Sequence, residues 1–217
     1  MMFTNQNKTT MIEKDKALYG RDEKMDISGI HFKFKNPITG PFDEKLEVAY
    51  FALGCFWGAE RLFWNTNGVY TTAVGFQGGY TKNPTWYEVC TAKTGHTETV
   101  MVVFDPSIIT FEELTIIFFE AHDPTSYMRQ GNDIGTEYRS AIFPTSQNQL
   151  NIALDVKNAY NKTLIQNGVG EIATEIYSIP IPIFYYAEEV HQQYLEKNPN
   201  GYCNLRGTGV SCIVNSP

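Results

Sequence analysis

Apolar residues along this chain fall into short runs separated by turn residues, and the runs switch between a strand period and a helix period. Val48-Ala49-Tyr50-Phe51-Ala52-Leu53 is unbroken and predicts a buried strand over 46–53. Residues 56–66 follow a helical pattern that ends at Asn67-Gly68, and 69–76 reads as a second strand. Residues 78–85 carry turn formers and predict a loop. Tyr87-Glu88-Val89-Cys90 looks strand-like. Over 97–104, Val100, Val102 and Phe104 share one face while Met101 and Val103 take the other, so this strand is expected to be central and buried on both sides. Thr110-Phe111-Glu112-Glu113 has the form of a capping box and opens a helix that stops at Asp123-Pro124. Residues 128–137 are a polar loop, and Tyr138 to Phe143 reads as a strand ended by Pro144. A long helix is expected from Ser146 to Asn167-Gly168, a strand around 171–177 and a helix around 187–197. Helices interleaved with strands in mixed order predict a single α/β domain. It comprises a polar arm over 1–45, disordered or wrapping, a folded body over 46–200, and a Gly-containing coil tail over 201–217.

Composition narrows the function. The 217 residues carry a formal net charge of −7 and no basic run, which argues against nucleic-acid binding. No apolar stretch approaches the roughly 20 residues that span a bilayer, so no membrane association is expected. The polar first 25 residues lack a signal-peptide centre, and a cytoplasmic location is the expectation. In a reducing compartment the four cysteines, Cys55, Cys90, Cys203 and Cys212, read as catalytic, metal-binding or buried rather than as structural disulfides.

Cys55 stands out because strand, Gly54 and helix meet there. A thiol at the first turn of a helix faces unpaired N–H groups and a partial positive charge, both of which favour the reactive thiolate. A packed structural cysteine is the alternative. Glu98 on an apolar strand should have a raised pKa and suit a general acid; otherwise it reaches solvent or pairs with Arg139. Asp133 and Tyr138 offer a carboxylate and a phenol flanking a glycine loop, or else a turn former and a packed ring. Cys203 and Cys212 lie nine positions apart in the tail, where they could close a small loop, approach Cys55, or form half of a zinc site. Cys90 reads as a buried structural thiol. A Cys–His hydrolase using His96, His122 or His191, and a redox switch without turnover, are the competing function classes.

Taken in order, several segments resemble the A-type peptide-methionine sulfoxide reductases. They are Gly54-Cys55-Phe56-Trp57-Gly58-Ala59-Glu60, Gly78-Gly79-Tyr80-Thr81, Asn83-Pro84-Thr85 and Thr94-Gly95-His96-Thr97-Glu98. They continue with His122-Asp123-Pro124, Arg129-Gln130-Gly131-Asn132-Asp133, Tyr138-Arg139-Ser140, His191-Gln192-Gln193-Tyr194-Leu195, Asn198-Pro199-Asn200-Gly201-Tyr202-Cys203 and the tail through Cys212. The resemblance implies a two-layer α/β (α+β) sandwich with a ferredoxin-like plait core and long coil at both termini. It implies reduction of methionine S-sulfoxide, protein-bound or free, in repair of oxidised proteins. By the same resemblance Cys55 is the nucleophile, Glu98 the acid, and Tyr138 and Asp133 assist. Phe56 and Trp57 wall the pocket for the S-methyl group. Cys203 resolves the Cys55 sulfenic acid, Cys212 takes over the disulfide in an exposed tail, and thioredoxin (or dithiothreitol in vitro) resets it. No bound cofactor or metal is implied, and a monomer is the family default. Trp86 stands where the family commonly has a second tyrosine and can still wall the pocket. Glu137 replaces a usual Gln, Val190 a Tyr or Asp, Asn204 and Arg206 replace glycines, and Ile213 a proline.

Overall fold

The computed structural model describes residues 8–212; the first seven positions of the arm, and Ile213 onward in the tail, lie outside the described residues. The body begins with β1 (Glu47–Ala52), α1 (Phe56–Trp64), β2 (Val69–Gln77), α2 (Trp86–Val89), β3 (Thr97–Phe104) and α3 (Phe111–Ala121). It continues with β4 (Arg129–Gln130), β5 (Asp133–Ile134), β6 (Ala141–Phe143), α4 (Gln147–Gln166), β7 (Glu175–Ile176), β8 (Tyr185–Tyr186) and α5 (Tyr194–Lys197). Six strands form one sheet in the order β7-β6-β1-β3-β2-β8, and β4 and β5 form a separate hairpin. The pairs β1–β3, β2–β3 and β1–β6 are antiparallel. With α1 joining β1 to β2 and α3 lying between β3 and β6, the inner strands have the βαββαβ order of a ferredoxin-like plait.

The two-faced strand is realised in β3, where every residue is buried. One face carries Phe51, Val100, Val102 and Phe104 into a core shared with α1, α3 and α4. Phe51 lies among Phe63, Phe118 and Phe111, with ring centroids 5.0, 5.4 and 5.9 Å away. Emptying such a site costs about 3–5 kcal/mol for a Phe→Ala change. The other face presents Ala73, Met101 and Val103 and is covered by chain rather than by helices: Ile27, Ile38 and Phe42 of the arm, with Phe184 and Tyr186. The Tyr186 hydroxyl donates to the Ile38 carbonyl at 3.0 Å. The described part of the arm therefore wraps the sheet.

Four local expectations are corrected. Residues 87–90 belong to α2 and its C-cap, because Thr85 and Glu88 form a reciprocal capping box that outweighs the β propensity of Tyr and Val. Tyr138 lies in a short 3-10 turn, Thr136–Tyr138, and the strand starts only at Ala141. Thr97 donates its hydroxyl to the carbonyls of both Glu137 and Arg139, anchoring that turn on β3. Around 171–177 only Glu175–Ile176 is paired, in parallel with β6. The helix expected over 187–197 shrinks to Tyr194–Lys197. Gln192 spends its side-chain amide on Val74 and Ala187, and Gln193 adopts a left-handed conformation.

Candidate active site

Cys55 is the N-cap residue of α1 and is half-buried. The turn that delivers it needs Gly54, whose φ of +96° is reached freely only by glycine and whose added Cβ would lie 2.7 Å from the Gln130 side chain. The N–H groups of Trp57 and Gly58 face the sulfur and pull its pKa down, but burial and the Glu98 carboxylate together push the thiol well above its ordinary value. The helix start alone does not leave a free thiolate at rest, which corrects the sequence expectation. Burial outweighs the partial charge of one helical turn.

Glu98 sits on β3 with 1 % exposure. Its Oε2 accepts the Phe56 N–H at 2.8 Å, and its Oε1 accepts the Trp86 indole N–H at 3.2 Å. Burial raises its pKa to about 8 against those two donors, so at neutral pH it holds a proton. The alternative pairing with Arg139 is absent; Arg139 instead reaches Glu175 at 3.2 Å. Tyr138 is half-buried, its phenol pushed up by burial and by Glu98. Asp133 accepts the Tyr202 hydroxyl at 3.0 Å through Oδ1, while its buried Oδ2 has no hydrogen-bond partner among the described residues. Cys55, Asp133, Gln130, Leu53, Asn204 and Leu205 line one small depression.

The aromatic wall has more members than the sequence suggested. Trp57 stacks on Tyr194 with centroids 3.9 Å apart and donates its indole N–H to His191 Nδ1 at 3.2 Å. Trp86 lies 5.3 Å from the same imidazole. Phe56 is fully buried against Phe76 and His191, so it supports the wall from behind instead of forming open surface. Burial keeps His191 below its ordinary pKa. The sequence offers His191 only as a candidate hydrolase base and Tyr194 only as a motif position, neither as part of this wall. Cys90 is half-buried, its thiol raised to about 12 by burial with Glu98 and Glu137 as the next influences, which places it closer to the acid cluster than a remote core thiol. Glu137, also buried, is pushed up to about 7 by burial.

All four cysteines are free thiols. Cys203 is exposed and abuts α1: a Cβ on Gly58 would meet its sulfur at 2.9 Å. Three residues after Cys55, this contact puts Cys203 beside the first turn of α1. Cys212 is elsewhere and buried, which corrects the expected exposed position. Its N–H donates to Glu120 at 2.6 Å, and burial with Glu120 and Glu112 raises its thiol to about 12. Tyr160 holds the same segment by donating to the Val210 carbonyl at 2.6 Å. Among the described residues no group of three or more His, Cys, Asp or Glu is arranged to hold a metal. The hydrolase reading finds no general base. His96 bonds Gly79 and Thr81, His122 bonds Phe118 and Ser140, and His191 takes the Trp57 indole.

Comparison with known proteins agrees with this geometry. The family model described as peptide methionine sulfoxide reductase matches residues 47–212. Peptide methionine sulfoxide reductase MsrA 1 of Synechocystis sp. is 54% identical over 207 residues, covering 95% of this chain and 92% of the relative. The solved structure of methionine sulfoxide reductase A of Corynebacterium diphtheriae superposes with a TM-score of 0.83 at 44% identity, covering 95% of this chain and 100% of that one. Mxr1 from Saccharomyces cerevisiae in complex with Trx2 aligns with a TM-score of 0.50 at 26% identity, covering 77% of this chain and 96% of that one. The chain belongs to the peptide methionine sulfoxide reductase family and is an oxidoreductase.

Proposed function

We propose that the chain reduces the S epimer of methionine sulfoxide, in peptides and as the free amino acid, through a Cys55 sulfenic acid. The observation that carries this reading is Glu98, a buried carboxylic acid bonded to the N–H of Phe56 next to the Cys55 thiol. The sulfoxide sulfur is electrophilic only as its oxygen takes up a proton, and a carboxyl group with a pKa near 8 can supply one at neutral pH. As Glu98 or Tyr138 donates to the oxygen, the Cys55 sulfur attacks the sulfoxide sulfur. The oxygen then transfers to Cys55, methionine leaves, and Cys55 becomes a sulfenic acid. The Trp57 and Trp86 faces hold the S-methyl group. Asp133 Oδ2, buried without a partner among the described residues, suits a bound water or the substrate.

Cys203 then condenses with the sulfenic acid, forming a Cys55–Cys203 disulfide and releasing water. The sulfur contact at Gly58 supports that order. Cys212 next exchanges onto Cys203, which frees Cys55. Because Cys212 starts bound to Glu120, the tail must leave α3 for this step. A dithiol reductant of the thioredoxin class completes the cycle, as the relative crystallised with Trx2 suggests. Such a cycle fits repair of oxidised proteins by a monomer in the cytoplasm. The test is Cys55→Ser in a coupled thioredoxin assay on a methionine S-sulfoxide peptide. Turnover should vanish, and activity above background would remove Cys55 as the nucleophile. Peptide mapping after one turnover should show Cys55 or Cys212 linked to Cys203.

A further inference from the structure

Glu60 is a buried acid with no part in the chemistry above. It lies on α1, five residues past Cys55, with no accessible surface. Its surroundings consist of donors. Oε1 accepts the Thr72 hydroxyl at 3.0 Å and the Gln193 side-chain amide at 2.8 Å; Oε2 accepts the Gln193 backbone N–H at 2.8 Å. The chain of donors continues into the arm. His31 Nδ1 accepts the N–H groups of Lys33 and Phe34, which leaves the proton on Nε2, 3.1 Å from the Thr72 hydroxyl. The Phe32 N–H meanwhile donates to Gln193 Oε1 at 2.9 Å. Every polar atom of the Gln193 side chain is therefore used.

Gln193 is held at φ 48°, ψ 42°, a left-handed conformation that a residue with a side chain adopts only under constraint. It separates His191, the acceptor for the Trp57 indole, from Tyr194, the ring stacked on Trp57. The backbone turn at 193 thus sets where both partners of Trp57 stand. We infer that Glu60 is a positioning residue: with Thr72 and His31 it locks Gln193 in this turn and so fixes the His191–Trp57–Tyr194 wall against which substrate binds. Through His31 the arm then helps to shape the substrate site. Burial lifts Glu60 to about 7, while the hydrogen bonds from Gln193 and Thr72 pull the other way. An amide at this position would turn an N–H towards another donor.

The inference rests on the reading that Trp57 holds substrate, and the test separates the two. Glu60→Gln, Thr72→Val and Trp57→Ala are compared in single turnover on a methionine S-sulfoxide peptide, with 5-fluorotryptophan incorporated to follow the Trp57 resonance. Thr72→Val removes the hydroxyl with little change of shape and serves if Glu60→Gln fails to fold. In both network variants we expect apparent KM to rise about tenfold, the maximal rate to stay within about twofold, and the Trp57 resonance to shift. Folded variants with unchanged KM and resonance overturn the inference while a raised KM in Trp57→Ala leaves the wall reading standing. An unchanged KM in Trp57→Ala removes the wall reading and this inference with it.

Discussion

Replacing Glu98 by Gln isolates the proton that the proposed mechanism needs. In the folded protein burial places this carboxyl near 8, against an ordinary value of 4.5. A folded pKa above the unfolded one means that the stability contribution is complete below pH 4.5. It is lost progressively as pH rises and is fully gone above about 8. At 1.36 kcal/mol per pH unit the whole span amounts to roughly 5 kcal/mol, and the part between pH 6 and 8 to roughly 3 kcal/mol. For a chain of this length that part corresponds to about 6–12 °C in Tm. Glutamine cannot ionise, so Glu98→Gln removes this slope. It also faces the Phe56 and Trp86 donors with one oxygen instead of two, which lowers stability by a pH-independent amount of about 1–3 kcal/mol. The informative quantity is therefore the difference in slope. Thermal melts of both proteins from pH 6 to 9 should show the native protein losing several degrees more than the variant. Single-turnover reduction should show an alkaline fall near pH 8 in the native protein that is missing from a much slower variant. Parallel Tm slopes together with an unchanged rate profile would refute the argument that Glu98 is a buried neutral acid.

Trp86→Phe keeps an aromatic wall but removes the indole donor that lowers the Glu98 pKa. The alkaline limb of the reduction rate should move upward by up to about one pH unit, and a downward move would mean that the indole does not act on Glu98. Gly58→Ala pushes a methyl group to 2.9 Å from the Cys203 sulfur. Methionine formation in the first step should persist while the Cys55–Cys203 disulfide forms more slowly, which thiol trapping of the sulfenic acid reads directly. Cys212→Ser should leave the first turnover intact and slow recycling by thioredoxin about tenfold or more. Undiminished recycling would show that Cys203 is reduced without the relay.

The sequence reading succeeded where one residue pattern answers to one environment. The doubly apolar Val100–Phe104 stretch could only be a central strand, and Glu98 on it could only be a buried acid or an end-of-strand exception. The Cys55 turn was marked by Gly54 and the period change on either side. Legibility failed where side chains replace backbone partners. Gln192 and Gln193 look like ordinary polar residues before a helix, yet one imitates a strand partner for Val74 and the other completes the cradle of Glu60. The β propensity of Tyr138 points to a strand because it says nothing about Thr97 capturing the neighbouring carbonyls. The thiolate expectation at Cys55 failed for a related reason. A helix start is visible in sequence, whereas the depth of burial and the adjacent carboxyl depend on the assembled fold.

Cys212 is 9 % exposed with all four cysteines free, its amide is bonded to Glu120, and burial raises its thiol to about 12. A protonated thiol shielded by packing attacks a disulfide slowly, so exchange at Cys212 requires its segment to leave Glu120 first. Packed against α3 in this way, the thiol is shielded from stray oxidants and foreign disulfides while the chain is idle.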